Sequence, residues 1–151
     1  QICPAGWTVV NCSCYFLSPT SGSWITARLD CRKRRGDLVI FVRALIQRSA
    51  WIGLYEEMQG SWKWVDGTPL SSELKKFWAP GQPDNAGGGE DCAQIWDYNR
   101  KWNDDKCGAF RARICEKAPI LTLSVGDQQS DEQADAEHSE EQNNAQMETT
   151  L

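Results

Sequence analysis

Apolar positions along this chain fall into short runs of two different periods, separated by polar turns. Residues 3–17, CPAGWTVVNCSCYFL, read as a short strand hairpin stapled by a cysteine pair. In residues 24–35, WITARLDCRKRR, Trp24, Ala27, Cys31 and, less well, Leu29 fall near one helical face, and basic residues fill the other. Ser23 is the expected N-cap and Gly36 the expected stop. Asp37 to Phe41 is apolar and β-rich, and Val42 to Gln47 leaves room for one or two further helical turns. Trp51-Ile52-Gly53-Leu54 predicts a buried strand. Trp62 to Val65 predicts a half-exposed one ending at the Asp66-Gly67 turn. From Thr68 to Ala93, with Pro69, Pro80, Pro83 and Gly87-Gly88-Gly89, there is little periodicity. Loops this long in a compact domain are usually functional or disordered, and Trp78 and Cys92 argue for a tethered, functional one. Ala93 to Trp96 and Arg111 to Cys115 read as closing strands. The sum is a small α+β domain with a long ordered loop on one side.

Composition divides the chain in two. Among its 151 residues all eight Trp, all seven Cys and all sixteen Lys and Arg lie at or before Lys117. The stretch from Pro119 to Leu151 holds eight acidic residues and no aromatic, so the net charge of −5 splits into about +3 for the body and −8 for the tail. Residues 118–151 cannot bury enough apolar surface to offset their ordering entropy, and a disordered acidic tail is expected. The low pI therefore says nothing about the body's ligand.

Seven cysteines in a body of this size, with no His inside it (His138 lies in the tail), point away from zinc. Disulfides in an oxidising, extracellular compartment are the better reading. No apolar run approaches transmembrane length, and Gln1-Ile2-Cys3 lacks a signal peptide's charged and apolar regions. A mature or ectodomain fragment is the expectation. The basic run Arg32 to Arg35 reads as a solvated helix end whose cations suit the helix C-terminus, so nucleic acid is not an expected partner.

Candidate chemistry gathers between Phe77 and Cys107. Asp84, Glu90 and Asp104 offer three carboxylates, and Gln82 and Asn103 add amide oxygens without excess charge. Calcium takes about six to eight oxygen ligands of these kinds. Pro83, in the cis form, would turn the side chains flanking it toward one point. By spacing alone, a calcium site and a polar surface loop with coincidental carboxylates stay equally open. No catalytic constellation competes: no Ser or Cys nucleophile has a recognisable base, and the chain does not read as an enzyme.

Taken together, CPAGW…CY, SWITARLDCR…GDLV, WIGL, WKWVDG and QPDN…GEDC…WNDDKC…RARICEK resemble the C-type lectin-like domain over residues 3–117. The resemblance implies the C-type lectin fold: two small antiparallel sheets, two helices with the second shortened, and a long calcium-binding loop. It implies disulfides Cys3–Cys14, Cys31–Cys115 and Cys92–Cys107, leaving Cys12 unpaired. The last bridge would close a loop of about 15 residues, for which the chain-entropy estimate is about 3 kcal/mol. Cys12 is then either an inert thiol or a route to a disulfide-linked homo-oligomer, and Asn11-Cys12-Ser13 is a weak N-glycosylation sequon.

Residue by residue, Gln82, Asp84, Glu90, Asn103 and Asp104 match the family's principal calcium site, where two vicinal sugar hydroxyls complete the shell and bond the same side chains. Asp104 would contribute both its side chain and its carbonyl. The segment Tyr55 to Gly60 is one residue short for the family's auxiliary calcium; Glu56, Asn85, Glu90 and Asp91 are its remaining candidate ligands. The order of amide and acid sets which hydroxyl pair fits, because an ionised carboxylate only accepts hydrogen bonds while an amide also donates. Gln-Pro-Asp resembles galactose-preferring members and Glu-Pro-Asn mannose-preferring ones. Ala86 stands where many galactose binders carry a stacking Trp, which implies weak monosaccharide binding and imperfect discrimination.

The function implied is extracellular, calcium-dependent recognition of glycans with terminal galactose or N-acetylgalactosamine, in recognition or innate immune defence. The alternative keeps the fold, binds protein or ice instead of sugar, and leaves calcium a structural role.

Overall fold

The computed structural model describes residues 2–41 and 47–120. The expected short second helix, at Val42 to Gln47, falls almost wholly outside the described residues, and so does the acidic tail after Ile120. Two compact units divide the chain. One, Cys3–Pro119, holds the elements and the site. The other comprises Gln1–Ile2 and Ile120–Leu151, of which Ile2 and Ile120 form an antiparallel bridge.

The larger unit opens with the hairpin β1 (Thr8–Val10) and β2 (Ser13–Leu17), paired Val10 to Ser13 across the two-residue turn Asn11-Cys12. Helix α1 (Trp24–Lys33) follows, and Ser23 caps it by accepting from the Thr26 amide at 3.3 Å. The strands β3 (Asp37–Leu38), β4 (Ala50–Met58), β5 (Ser61–Trp64), β6 (Cys92–Ile95), β7 (Trp102–Asp105) and β8 (Ala112–Lys117) complete the frame. They pair in the order β1-β2-β8-β4-β6-β7, with β3 also on β8 and β5 on β4. All ladders are antiparallel except β4 with β8. The two sheets expected from the resemblance are thus joined through β8: its C-terminal half pairs with β2 and its first residues run parallel to β4.

Strand β4 is buried on both faces over Ala50–Leu54, which is why it reads as one apolar run rather than an alternation. Ile52 and Leu54 point into a cluster with Trp62, Trp64, Phe77, Trp78, Ile95 and Trp102. Trp51 points the other way, toward Trp24, Ala27 and Cys31 of α1. The indole N–H groups of Trp24 and Trp51 donate to the carbonyls of Ile52 and Gly22, both at 2.9 Å, so neither buried donor is left unpaired.

Buried Arg113 ties α1 to β8. Its Nε donates to Asp30 Oδ2 at 2.7 Å and its Nη1 to Thr20 Oγ1 at 3.2 Å. Burial alone would raise the Asp30 pKa, but hydrogen bonds from Arg34 and Arg113 outweigh it and hold the carboxyl below its usual range.

Four expectations need correction. Leu29 lies on the exposed side of α1, at 55% exposure, because the buried stripe runs only through Trp24, Ala27 and Cys31. Gly36 does not supply the left-handed residue that ends the helix; Arg35 does, at φ 66°. The loop after Thr68 contains a 3-10 helix, Ser72–Phe77, held by Leu74 and Phe77 packing on the main core. Finally, β7 is a strand the pattern did not predict.

Glycine at position 36 is required by close approach instead: a Cβ there would sit 2.3 Å from the Glu116 carbonyl oxygen on β8. Gly36→Ala is therefore expected to destabilise the domain by about 1–3 kcal/mol, the usual cost of overpacking. Denaturant unfolding checks this, and an unchanged midpoint would show that β8 yields freely at this point.

Candidate metal and ligand site

The loop between the 3-10 helix and β6 is fastened at both ends. Trp78 forms a bridge with Trp102 of β7, and the Ala79 amide donates to the Trp102 carbonyl at 2.8 Å. At the far end Glu56 N donates to Asp91 O at 2.8 Å, and the Cys92–Cys107 bridge joins the start of β6 to the segment after β7. Gly87, Gly88 and Gly89 all take positive φ, between 70° and 79°, a path that residues with a Cβ rarely follow. The Gln82–Pro83 bond is cis.

Between these fastenings the loop is built around the buried carboxylate of Asp104, 2% exposed, on β7. Its Oδ1 accepts from the Asp84 amide at 3.2 Å and its Oδ2 from the Asn85 amide at 2.7 Å. Asn85, itself at φ 50°, turns its Oδ1 to the Glu90 amide at 2.9 Å. These bonds bring Asp84, Glu90 and Asp104 together, with one carboxylate oxygen of each within 4.8 Å of the others. Among the described residues no other acidic, His or Cys side chains gather in such a group.

The two amides of the predicted set complete the picture. Gln82 Nε2 donates to Asp84 Oδ2 at 3.2 Å, and Asn103 Nδ2 donates to the Asp104 carbonyl at 2.9 Å. Each amide thereby leaves an oxygen, Gln82 Oε1 and Asn103 Oδ1, buried and without a hydrogen-bond partner among the described residues. Orphaned buried acceptors carry a desolvation cost of about 1–3 kcal/mol unless something fills them. A hard cation fits what is present: three carboxylates and two amide oxygens lacking a donor.

The electrostatics agree. Burial, and then the charges of Asp104, Asp105 and Asp84, push the Glu90 carboxyl above its usual pKa. Asp105 stays outside the group, since its Oδ2 is taken by Arg111 at 2.8 Å and by Gln94 at 3.1 Å.

Of the candidate auxiliary ligands, Glu90 lies in the carboxylate group. Glu56 Oε2 accepts from the Gly60 amide at 3.1 Å, closing the β4–β5 turn, and Asn85 is committed to Glu90. Neither Glu56 nor Asp91 joins the carboxylate group. Disulfides link Cys3 to Cys14, Cys31 to Cys115 and Cys92 to Cys107. Cys12 is unpaired and exposed beside exposed Asn11 in the first hairpin turn.

Residue-level reasoning from sequence overlooked Asn85 as the brace of Glu90. It also overlooked a groove of about 650 Å³ that runs from Gln82, Asp84 and Asp104 to Trp62, Trp78 and Lys75. The aromatic pairs WKW and FW were the only signal for it.

The lectin C-type domain profile matches residues 20–117. C-type lectin domain family 4 member M of Pan troglodytes is 35% identical over 130 residues, covering 78% of this chain and 28% of that protein. The CD209 antigen of Nomascus concolor is 37% identical over 128 residues, covering 77% of this chain and 31% of that protein. The chain thus spans about a third of the length of these curated relatives. Among solved structures, the mouse scavenger receptor C-type lectin carbohydrate-recognition domain superposes with a TM-score of 0.70 at 34% identity, covering 80% of this chain and all of that one. The chain belongs to the C-type lectin domain family. No helix among the described residues is long and apolar enough to cross a membrane.

Protons and a cation compete for the same three carboxylates. Because the Glu90 pKa is raised, that competition sets in at a higher pH than at an ordinary carboxylate. Calcium affinity is expected to be complete above the raised pKa and to fall as pH drops through it. Calorimetric titration of the chain with CaCl2 at pH 7 and pH 5 reads this directly; equal affinities would contradict it.

Proposed function

We propose that this domain is a calcium-dependent carbohydrate-recognition module with galactose or N-acetylgalactosamine preference. The observation that carries the reading is the pairing of three converging carboxylates with two buried, unpartnered amide oxygens. Gln82, Asp84, Glu90, Asn103 and Asp104 would hold a single Ca2+. When bound, the cation supplies open oxygen-coordination positions for two neighbouring sugar hydroxyls. The chain's own residues do the rest. Asp84 and Glu90 accept hydrogen bonds from the sugar hydroxyls, and the amide N–H groups of Gln82 and Asn103 donate to them. Buried Asp104, braced by two backbone amides, fixes the positions of the other ligands.

The order Gln82 then Asp84 places the amide and the acid as in galactose-preferring members of the family. The description of the mouse structure as a carbohydrate-recognition domain supports the sugar class, not the particular sugar. Three disulfides in a body this small fit an extracellular setting, and recognition in innate defence is the role proposed for it. Ala86 leaves the sugar without a stacking partner at that position. A single site is therefore weak, and several domains presented together would gain through effective concentration. The exposed Cys12 is one proposed route to such a homo-oligomer.

On immobilised galactose the domain is expected to be retained with Ca2+ and released by EDTA. The double variant Gln82→Glu/Asp84→Asn is expected to lose galactose affinity by roughly tenfold, about 1.4 kcal/mol, and to gain retention on mannose. Calcium binding without retention on either sugar would overturn the lectin reading while leaving the metal site standing.

A further inference from the structure

The groove beside the cluster is larger than one sugar held at two hydroxyls requires. Its volume of about 650 Å³ lies mid-range for small-molecule sites, which run from about 300 to 1,000 Å³. One end is the metal-side rim: Gln82, Asp84 and Asp104 line the groove as well as forming the cluster. From there it runs between the β4–β5 turn and the 3-10 helix.

Its lining combines two chemistries. Trp62 and Trp78, packed edge to face with ring centroids 4.9 Å apart, present small apolar patches, each being 8–9% exposed. Around them stand the amide of Gln59, the hydroxyl of Ser61 and the ammonium of Lys75, none of which bonds another side chain among the described residues. Apolar patches flanked by uncommitted donors suit a pyranose ring, which has C–H faces and a hydroxyl edge.

The charges are divided along the groove. Three carboxylates line it: Asp84 and Asp104 in the cluster, and Glu56, whose Oε2 accepts from the Gly60 amide at 3.1 Å. Lys75 is the one cation among the lining residues and makes no ion pair among the described residues. It projects from the 3-10 helix. Its neighbours are otherwise occupied, Lys76 stacking over Phe77 and Lys101 donating to the Lys76 carbonyl at 3.2 Å.

We infer that this groove is a second subsite, which takes the sugar next to the metal-held one in an oligosaccharide and uses Lys75 to select an anionic substituent on it, a sulfate ester or a sugar carboxylate. The inference rests on the carbohydrate reading above and adds the ligand's length and charge. Calcium satisfies the anionic end, so Lys75 is the group left to discriminate between neutral and acidic glycans.

The test is calorimetry on the full chain with Ca2+ at low salt. The monosaccharide probes are methyl galactoside and methyl mannoside. The disaccharides are built on whichever of these is retained and are neutral, sulfated or carboxylated on the residue away from the metal. At least one anionic disaccharide is expected to bind roughly two- to fivefold tighter than the neutral one, the scale of an exposed charge pair, and the gain should shrink as salt is raised. The sulfate and carboxylate arms tell which anion is preferred. K75A and K75E are expected to remove the gain with monosaccharide affinity unchanged, and K75R to keep it. No gain with either anion, or a gain that survives in K75A, overturns the subsite alone. If neither monosaccharide binds with calcium, the carbohydrate reading fails and the subsite falls with it.

Discussion

The buried carboxylate of Asp104 is the constraint on which the loop depends. A nearly inaccessible anion is tolerated only where hydrogen bonds and a counter-charge replace its lost hydration. Two of its acceptor positions are filled by the Asp84 and Asn85 amides, and hydrogen bonds to charged groups are worth about 1.5–3 kcal/mol each. Those bonds fix the backbone at the Gln82-Pro83-Asp84 turn. Asn85 then holds the Glu90 amide, which returns the chain to β6 beside β7. The geometry that gathers the carboxylates is therefore set from the strand outward, and the long loop needs little regular structure of its own.

That arrangement works because β7 is held firmly. Trp102, beside the ligating pair, is fully buried and packs against Trp64, Phe77 and Trp78 with ring centroids 5.5–5.7 Å apart. Its carbonyl also receives the Ala79 amide, so one residue anchors both the core and the root of the loop. On the other side of the frame, α1 is fixed to β8 by Arg113 with Asp30 and by the Cys31–Cys115 bridge. Strand β4 lies between the two clusters and packs into both. The rigid part of the domain thus comes from residues distant in sequence, and the ligand-bearing part is a short excursion from it.

How far this was legible in the chain follows from the kind of signal each element leaves. The first hairpin, α1 and the apolar run at Trp51–Leu54 are set by local periodicity and capping, and they appear where the pattern puts them. Strand β7 was hidden because Asn103, Asp104 and Asp105 are poor strand formers; the backbone is extended there by pairing with β6, a tertiary effect. The 3-10 helix was hidden because its packing residues, Leu74 and Phe77, sit in a six-residue turn among prolines, too short to show a period. The five proposed ligands stand out by residue type as oxygen donors, but their spacing left a calcium site and a polar loop equally open, and only the family resemblance pointed to a site. The bracing role of Asn85 does not stand out, because it depends on a left-handed turn that brings its side chain to an amide five residues on. The groove draws on several separate segments, and the aromatic pairs WKW and FW are the only local trace of it.

The division of charge along that groove bears on why the cluster is so acidic. Three carboxylates held this close repel one another, and that repulsion adds to burial, the larger cause, in raising the Glu90 pKa. Such an arrangement is unfavourable to the folded chain alone, and on the proposed reading a dication among the oxygens would relieve it. A surface so committed to a cation is a poor place to recognise a second anion directly. Discrimination between neutral and acidic ligands must then come from a group set apart from the cluster but reached by the same ligand. Lys75, on the 3-10 helix across the groove, stands in that relation to Asp84 and Asp104. On the proposed reading, the 3-10 helix both closes the aromatic core through Phe77 and carries Lys75, the cation that lines the groove and extends the site beyond its metal.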